Sequence, residues 1–96
     1  MDLVGKSGQR YAFTRLDGET FLRQIGVTFV IAVPDEAGWR VRYAGETNNL
    51  ADGSWQSKLT AERARRADAQ CFVRLNVGRR VREAEVNDIE VHGAAT

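Results

Sequence analysis

The run Val27-Thr28-Phe29-Val30-Ile31-Ala32-Val33 constrains this chain more than any other stretch. It is an unbroken series of β-formers with a single polar member, so a strand here has to be covered on both faces. Pro34-Asp35-Glu36-Ala37-Gly38 follows, with proline and glycine in turn positions. Trp39 to Ala44 then alternates, setting Trp39, Val41 and Tyr43 on one face and Arg40 and Arg42 on the other. The two runs predict a β-hairpin, and a strand buried on both faces requires further elements above and below it.

The flanking sequence supplies them. Arg10 to Leu16 alternates as an N-terminal strand, with Tyr11 and Phe13 on one side. Asp17-Gly18 is a turn signal, followed by a short segment that packs through Phe21, Leu22 and Ile25. Asp52 or Ser54 can cap a helix over Ser54 to Arg66, where Trp55 and Leu59 stand four apart. Gln70 to Val77 returns to alternation, with Cys71, Val73, Leu75 and Val77 on one face. Arg79 to Val91 predicts a last helix. The expected class is α+β: a small three-stranded antiparallel sheet flanked by helices, with an extra N-terminal strand. One domain accounts for the chain, with residues 1–25 as an extension carrying one strand, 26–92 as the core and 93–96 as a tail.

Composition narrows the class of function. Among 96 residues, no apolar run approaches the ~20 residues of a membrane span. The start Met1-Asp2-Leu3-Val4-Gly5-Lys6 lacks the apolar stretch of a signal peptide. A lone cysteine, Cys71, forms no intramolecular disulfide, and the expectation is a cytoplasmic protein without a membrane partner. Fourteen basic against thirteen acidic residues, a net charge of +1, argue against a dedicated nucleic-acid binder. The charge is uneven, however. Arg63, Arg65 and Arg66 cluster, as do Arg79, Arg80 and Arg82. They form either a local phosphate-binding face or a solvated surface.

Glu85 stands out on the last helix. With Val81 at zero on a wheel of ~100° per residue, Glu85 falls at about 40° and Ile89 at about 80°. Glu83 and Glu90 fall near 200° and 180°, on the solvent side, by the same projection. A carboxylate inside an apolar stripe is costly unless paired, hydrogen-bonded or metal-bound. The structural reading is a bond to an arginine such as Arg82, to a tyrosine or to a backbone amide. The functional reading is a metal ligand or general base at a site lined by Tyr43.

Gly26-Val27-Thr28-Phe29-Val30-Ile31, Tyr43-Ala44-Gly45-Glu46-Thr47-Asn48-Asn49-Leu50 and Arg82-Glu83-Ala84-Glu85-Val86-Asn87-Asp88-Ile89 together resemble the GIY-YIG nuclease superfamily in order, spacing and context. The resemblance covers about residues 26–92 and implies metal-dependent phosphodiester cleavage of DNA. It matches Tyr43 to the second motif tyrosine and Glu85 to the glutamate that holds one Mg²⁺ or Mn²⁺ ion. Cleavage of that kind needs a polarising cation and positive charge beside the phosphorus.

Two departures point to an activity that is weak or lost. Phe29 stands in place of the first motif tyrosine and has no hydroxyl. Asp52 and Gly53 stand where an arginine is expected, leaving Lys58 or Arg63 to substitute from further along the helix. Lys58, Arg63, Arg65 and Arg66 are the candidate nucleic-acid contacts. The alternative function is a non-catalytic module that binds nucleic acid or protein through the old cleft. His92, near 20° on the same wheel, is a candidate second ligand or a surface residue. Cys71, Trp39 and Trp55 are expected in the core, and Asn48 and Asn49 suit a turn.

Overall fold

The computed structural model describes residues 1–16, 24–36 and 38–91. The chain runs β1 (Asp2–Val4), β2 (Arg10–Ala12), β3 (Thr14–Arg15), β4 (Val27–Asp35), β5 (Gly38–Thr47), a 3-10 turn (Leu50–Asp52), α1 (Ser54–Arg63), β6 (Gln70–Leu75) and α2 (Arg79–Asp88). This is an α+β fold. The main sheet has four strands in the order β3-β6-β4-β5, all pairings antiparallel, and β1 and β2 form a separate two-stranded ribbon. The expected three-stranded core is therefore β6-β4-β5. The expected N-terminal strand breaks at Phe13, whose amide turns aside to donate to the Met1 carbonyl. Arg10–Ala12 pairs in the ribbon, while Thr14–Arg15 becomes a fourth strand beside β6.

β4 is central because both its faces are apolar. Val27, Phe29, Ile31 and Val33 point to one side, where Trp55 and Leu59 of α1, Leu50, Ala69, Cys71 and Val73 complete a core. Val30 and Ala32 point to the other, where Tyr11, Phe13, Val41, Phe72 and Ile89 form a second core, with Met1, Leu3 and Trp39 at its margin. Helix α1 covers the first face. Helix α2 and the β1–β2 ribbon cover the second. A full Leu or Ile side chain buried in this way contributes about 1.5–3 kcal/mol.

The hairpin ladder runs out to Asp35 opposite Gly38, so Pro34 lies at a strand end opposite Trp39, not in a five-residue loop. Both helices stop earlier than their sequence pattern suggests, at Arg63 and Asp88. Strand β6 stops at Leu75, leaving Leu75 61% and Val77 94% exposed where the alternation placed them on a buried face. Asp17-Gly18, Phe21, Leu22 and His92 lie outside the described residues, as does the tail 93–96. No helix among the described residues is long and apolar enough to cross a membrane.

Candidate binding site

A single extra residue decides where Tyr43 goes. The β4–β5 register pairs Ile31 with Tyr43 but Ala32 with Val41, leaving Arg42 as a β-bulge. A bulge interrupts the two-residue side-chain period. Trp39 and Val41 share one face, the α2 side, whereas Tyr43, expected on the same face as them, turns to the α1 side. There its ring lies 6.0 Å from that of Phe29, and the Lys58 ammonium from α1 sits 5.1 Å from its centroid. Gly45 permits the ring pair, since a Cβ there would strike Phe29 Cζ. The bulged Arg42 faces α1 as well and pairs with Glu62 at 3.4 Å.

Glu85 lies on the opposite face. Helix α2 is rotated relative to the wheel projection: Arg82, Glu85 and Ile89 are buried against the sheet while Val81 is 49% exposed. The rotation follows from the sheet row beneath the helix, where Glu46, Thr28 and Arg74 are cross-strand neighbours on β5, β4 and β6. Glu85 Oε1 accepts from the Thr28 hydroxyl at 2.7 Å, and Oε2 accepts from Arg74 Nε at 2.9 Å. Arg82, not Glu85's partner, donates from Nε to Glu46 at 2.9 Å and from Nη1 to the Asn76 carbonyl at 2.8 Å. Gly26 makes room for it, because a Cβ at that position would collide with the guanidinium. A polar row on the sheet thus selects the polar side of α2, and each buried charge meets an opposite one.

The row continues into the ribbon. The Arg74 guanidinium lies 5.6 Å from the Tyr11 ring centroid, and the Tyr11 hydroxyl donates to Asp88 Oδ2 at 2.8 Å. Ser7 adds a hydroxyl and an amide bond to the same carboxylate. The Ser7 hydroxyl, then Tyr11, hold the Asp88 carboxyl below the usual carboxylate value, and the bond to Asp88 together with burial raises the Tyr11 phenol above 10.0.

Tyr43 and Glu85 are therefore not brought together. Each Glu85 oxygen already accepts a hydrogen bond, and the guanidinium at Oε2 would repel a cation. Among the described residues no group of three or more His, Cys, Asp or Glu side chains gathers as a ligand set. Of the arginine cluster, Arg63 donates to the Ala69 carbonyl and Arg66 to Asp68 and the Pro34 carbonyl, both tying down the turn after α1. Arg65 is exposed, with no such tie to a described residue.

What the structure does assemble is one end of the sheet. An open cleft of about 340 Å³ is lined by Glu46, Thr47, Asn48, Asp52, Ser54, Arg79 and Arg82. The polar tail of the Tyr43–Leu50 stretch forms its wall. Asp52 accepts from the Ser54 amide and from the Thr47 hydroxyl, and the amide bond holds its carboxyl below the ordinary value. Beside it runs an apolar groove of about 510 Å³ lined by Ile25, Gly26, Leu75, Asn76 and Val77. Its signal in the sequence was the continuation of the Cys71–Val77 alternation beyond the last covered residue. Cys71 itself is buried, and burial pushes its thiol up to about 12.

No family model matches the chain, and no curated protein or solved structure matches it either.

Proposed function

We propose that this protein is a non-catalytic binding module of the cytoplasm, acting through the end of the sheet where the polar cleft and the apolar groove adjoin. The observation that carries this reading is the use of Glu85. A carboxylate bonded to Thr28 and Arg74, on the face opposite Tyr43, is engaged in holding the helix to the sheet, and the Arg74 guanidinium beside it disfavours a metal ion there. The resemblance to GIY-YIG nucleases then describes an ancestry in which the second motif survives as a fold element. Phe29 without a hydroxyl beside Tyr43 is consistent with that loss.

A polypeptide partner fits better than DNA. The net charge is +1, and two of the three arginines nominated as nucleic-acid contacts are spent on the turn after α1. A supercoiled-plasmid nicking assay with Mn²⁺ tests the catalytic question. No nicking above a buffer control is expected. Nicking by the wild-type protein that Glu85→Gln or Tyr43→Phe abolishes, with the thermal midpoint unchanged, would overturn the proposal.

A further inference from the structure

We propose that the groove at Ile25, Leu75 and Val77 docks an acidic peptide bearing apolar side chains; this rests on the binding-module reading and specifies its partner. The apolar row of β6 begins in the core with Cys71 and Val73 and continues, in the same alternation, to Leu75 and Val77. Helix α1 covers only the first part of that row, through Trp55 and Leu59. Beyond it, Leu75 is 61% and Val77 94% exposed, and Val81 nearby is 49% exposed. Three of the five exposed large apolar side chains among the described residues thus lie within seven positions. Single exposed valines need no explanation, but Leu75 and Val77 exposed together along one groove mark an interaction surface. A groove of about 510 Å³ is of the size that takes a few side chains.

Charge selects the occupant. The groove's described lining residues are uncharged, and the residues that follow Val77 and Gly78 are Arg79 and Arg80. Arg80 forms no ion pair with a described residue, and Arg79 pairs only with Glu83 of its own helix, at 3.0 Å and largely exposed. The neighbouring acids are committed elsewhere. Glu46 is held by Arg82, Glu85 by Arg74 and Thr28, and Asp52 by Thr47 and the Ser54 amide. Helix α2 also begins here without a side-chain cap, so the positive end of its dipole adds to the two guanidinium groups. An incoming carboxylate meets Arg80 and the α2 N-terminus, with Asp52, the one acid here that is hydrogen-bonded but not ion-paired among the described residues, across the adjoining cleft, while apolar side chains beside it find Leu75 and Val77. A nucleic-acid backbone would find cations but nothing to match the apolar floor.

The test is fluorescence anisotropy with the full chain and short labelled peptides alternating aspartate with leucine, lysine with leucine, or aspartate with serine. The aspartate–leucine peptide is expected to bind saturably and more weakly at higher salt, with the other two at least about tenfold weaker. Val77→Ser, at a position too exposed to affect folding, should weaken binding by roughly tenfold, and Arg80→Glu by a similar factor for the acidic peptide alone. Absence of binding, equal binding of the lysine–leucine peptide, or indifference to Val77→Ser would overturn the proposal. So would self-association that Val77→Ser removes, which would make a second copy the occupant, or tighter retention of duplex DNA. None of these results depends on nicking, so the partner can be wrong while the non-catalytic reading stands.

Discussion

Truncating Glu85 to alanine should destabilise the protein severely. Glu85 is 4% exposed, and its carboxylate serves two groups at once. One is the Thr28 hydroxyl at 2.7 Å, on a residue fully buried at the centre of the sheet. Once orphaned it has no route to water, at a cost of about 1–3 kcal/mol. The other is the Arg74 guanidinium at 2.9 Å, whose side chain is 31% exposed. That exposure lets water replace part of the lost contact, so the ion pair contributes only about 1 kcal/mol. Together the loss is about 3 kcal/mol. With a urea slope of about 1.5 kcal/mol per molar, the midpoint should fall by roughly 2 M. Tryptophan fluorescence during urea titration measures it, since Trp55 is buried against the other face and reports global unfolding. Adding Thr28→Val should return at least about 1 kcal/mol relative to the sum of the single changes, because it removes the orphaned hydroxyl. A loss below about 0.5 kcal/mol, or strict additivity, would refute a structural role for the carboxylate.

Two further outcomes follow from the same contacts. The Tyr11 phenol is raised above 10.0 by Asp88 and by burial, so above that pH the unfolded chain releases a proton the folded one retains. Stability should therefore be unaffected by this group below pH 10.0 and fall as pH rises through it, and thermal midpoints of Tyr11→Phe should lose that slope. Cys71, with its thiol pushed up to about 12, should be inert to a disulfide reagent at neutral pH in the native state and react promptly in urea.

Much of the architecture was legible from side-chain period alone. The β4–β5 hairpin, α1, β6 and α2 each carry a pattern that only one kind of backbone satisfies, and the core positions of Val27, Ile31, Trp55, Leu59 and Cys71 follow from it. What period cannot express is pairing. Val81 and Glu85 occupy neighbouring positions on the wheel, yet only Glu85 is buried, because the sheet row under α2 is Glu46, Thr28 and Arg74. A helix over such a row is anchored by complementary polar groups, and the buried apolar side chain, Ile89, comes only at its C-cap. The identity of those three sheet residues is local in space and distant in sequence. The break at Phe13 is of the same kind, since the Met1 carbonyl that takes its amide belongs to the ribbon.

The bulge at Arg42 shows how such a misreading reaches function. Unbroken alternation from Trp39 to Tyr43 would carry Tyr43 to the α2 side, the face that holds Glu85, and a tyrosine and a glutamate would then share one site. The extra residue shifts Tyr43 to the α1 side, because a one-residue slip exchanges the faces of every following side chain. The same shift serves packing: it sets Tyr43 against Phe29 and Lys58 and delivers Arg42 to Glu62. It also fixes what the rest of the strand presents. Glu46 falls on the α2 face, where Arg82 neutralises it, and Thr47 falls on the other, where it binds Asp52. The Tyr43–Leu50 stretch therefore supplies one aromatic to the α1 core and a polar wall to the cleft at the sheet end. Chemistry that requires Tyr43 and Glu85 together has no common face to occur on, whereas recognition at the sheet end needs neither of them.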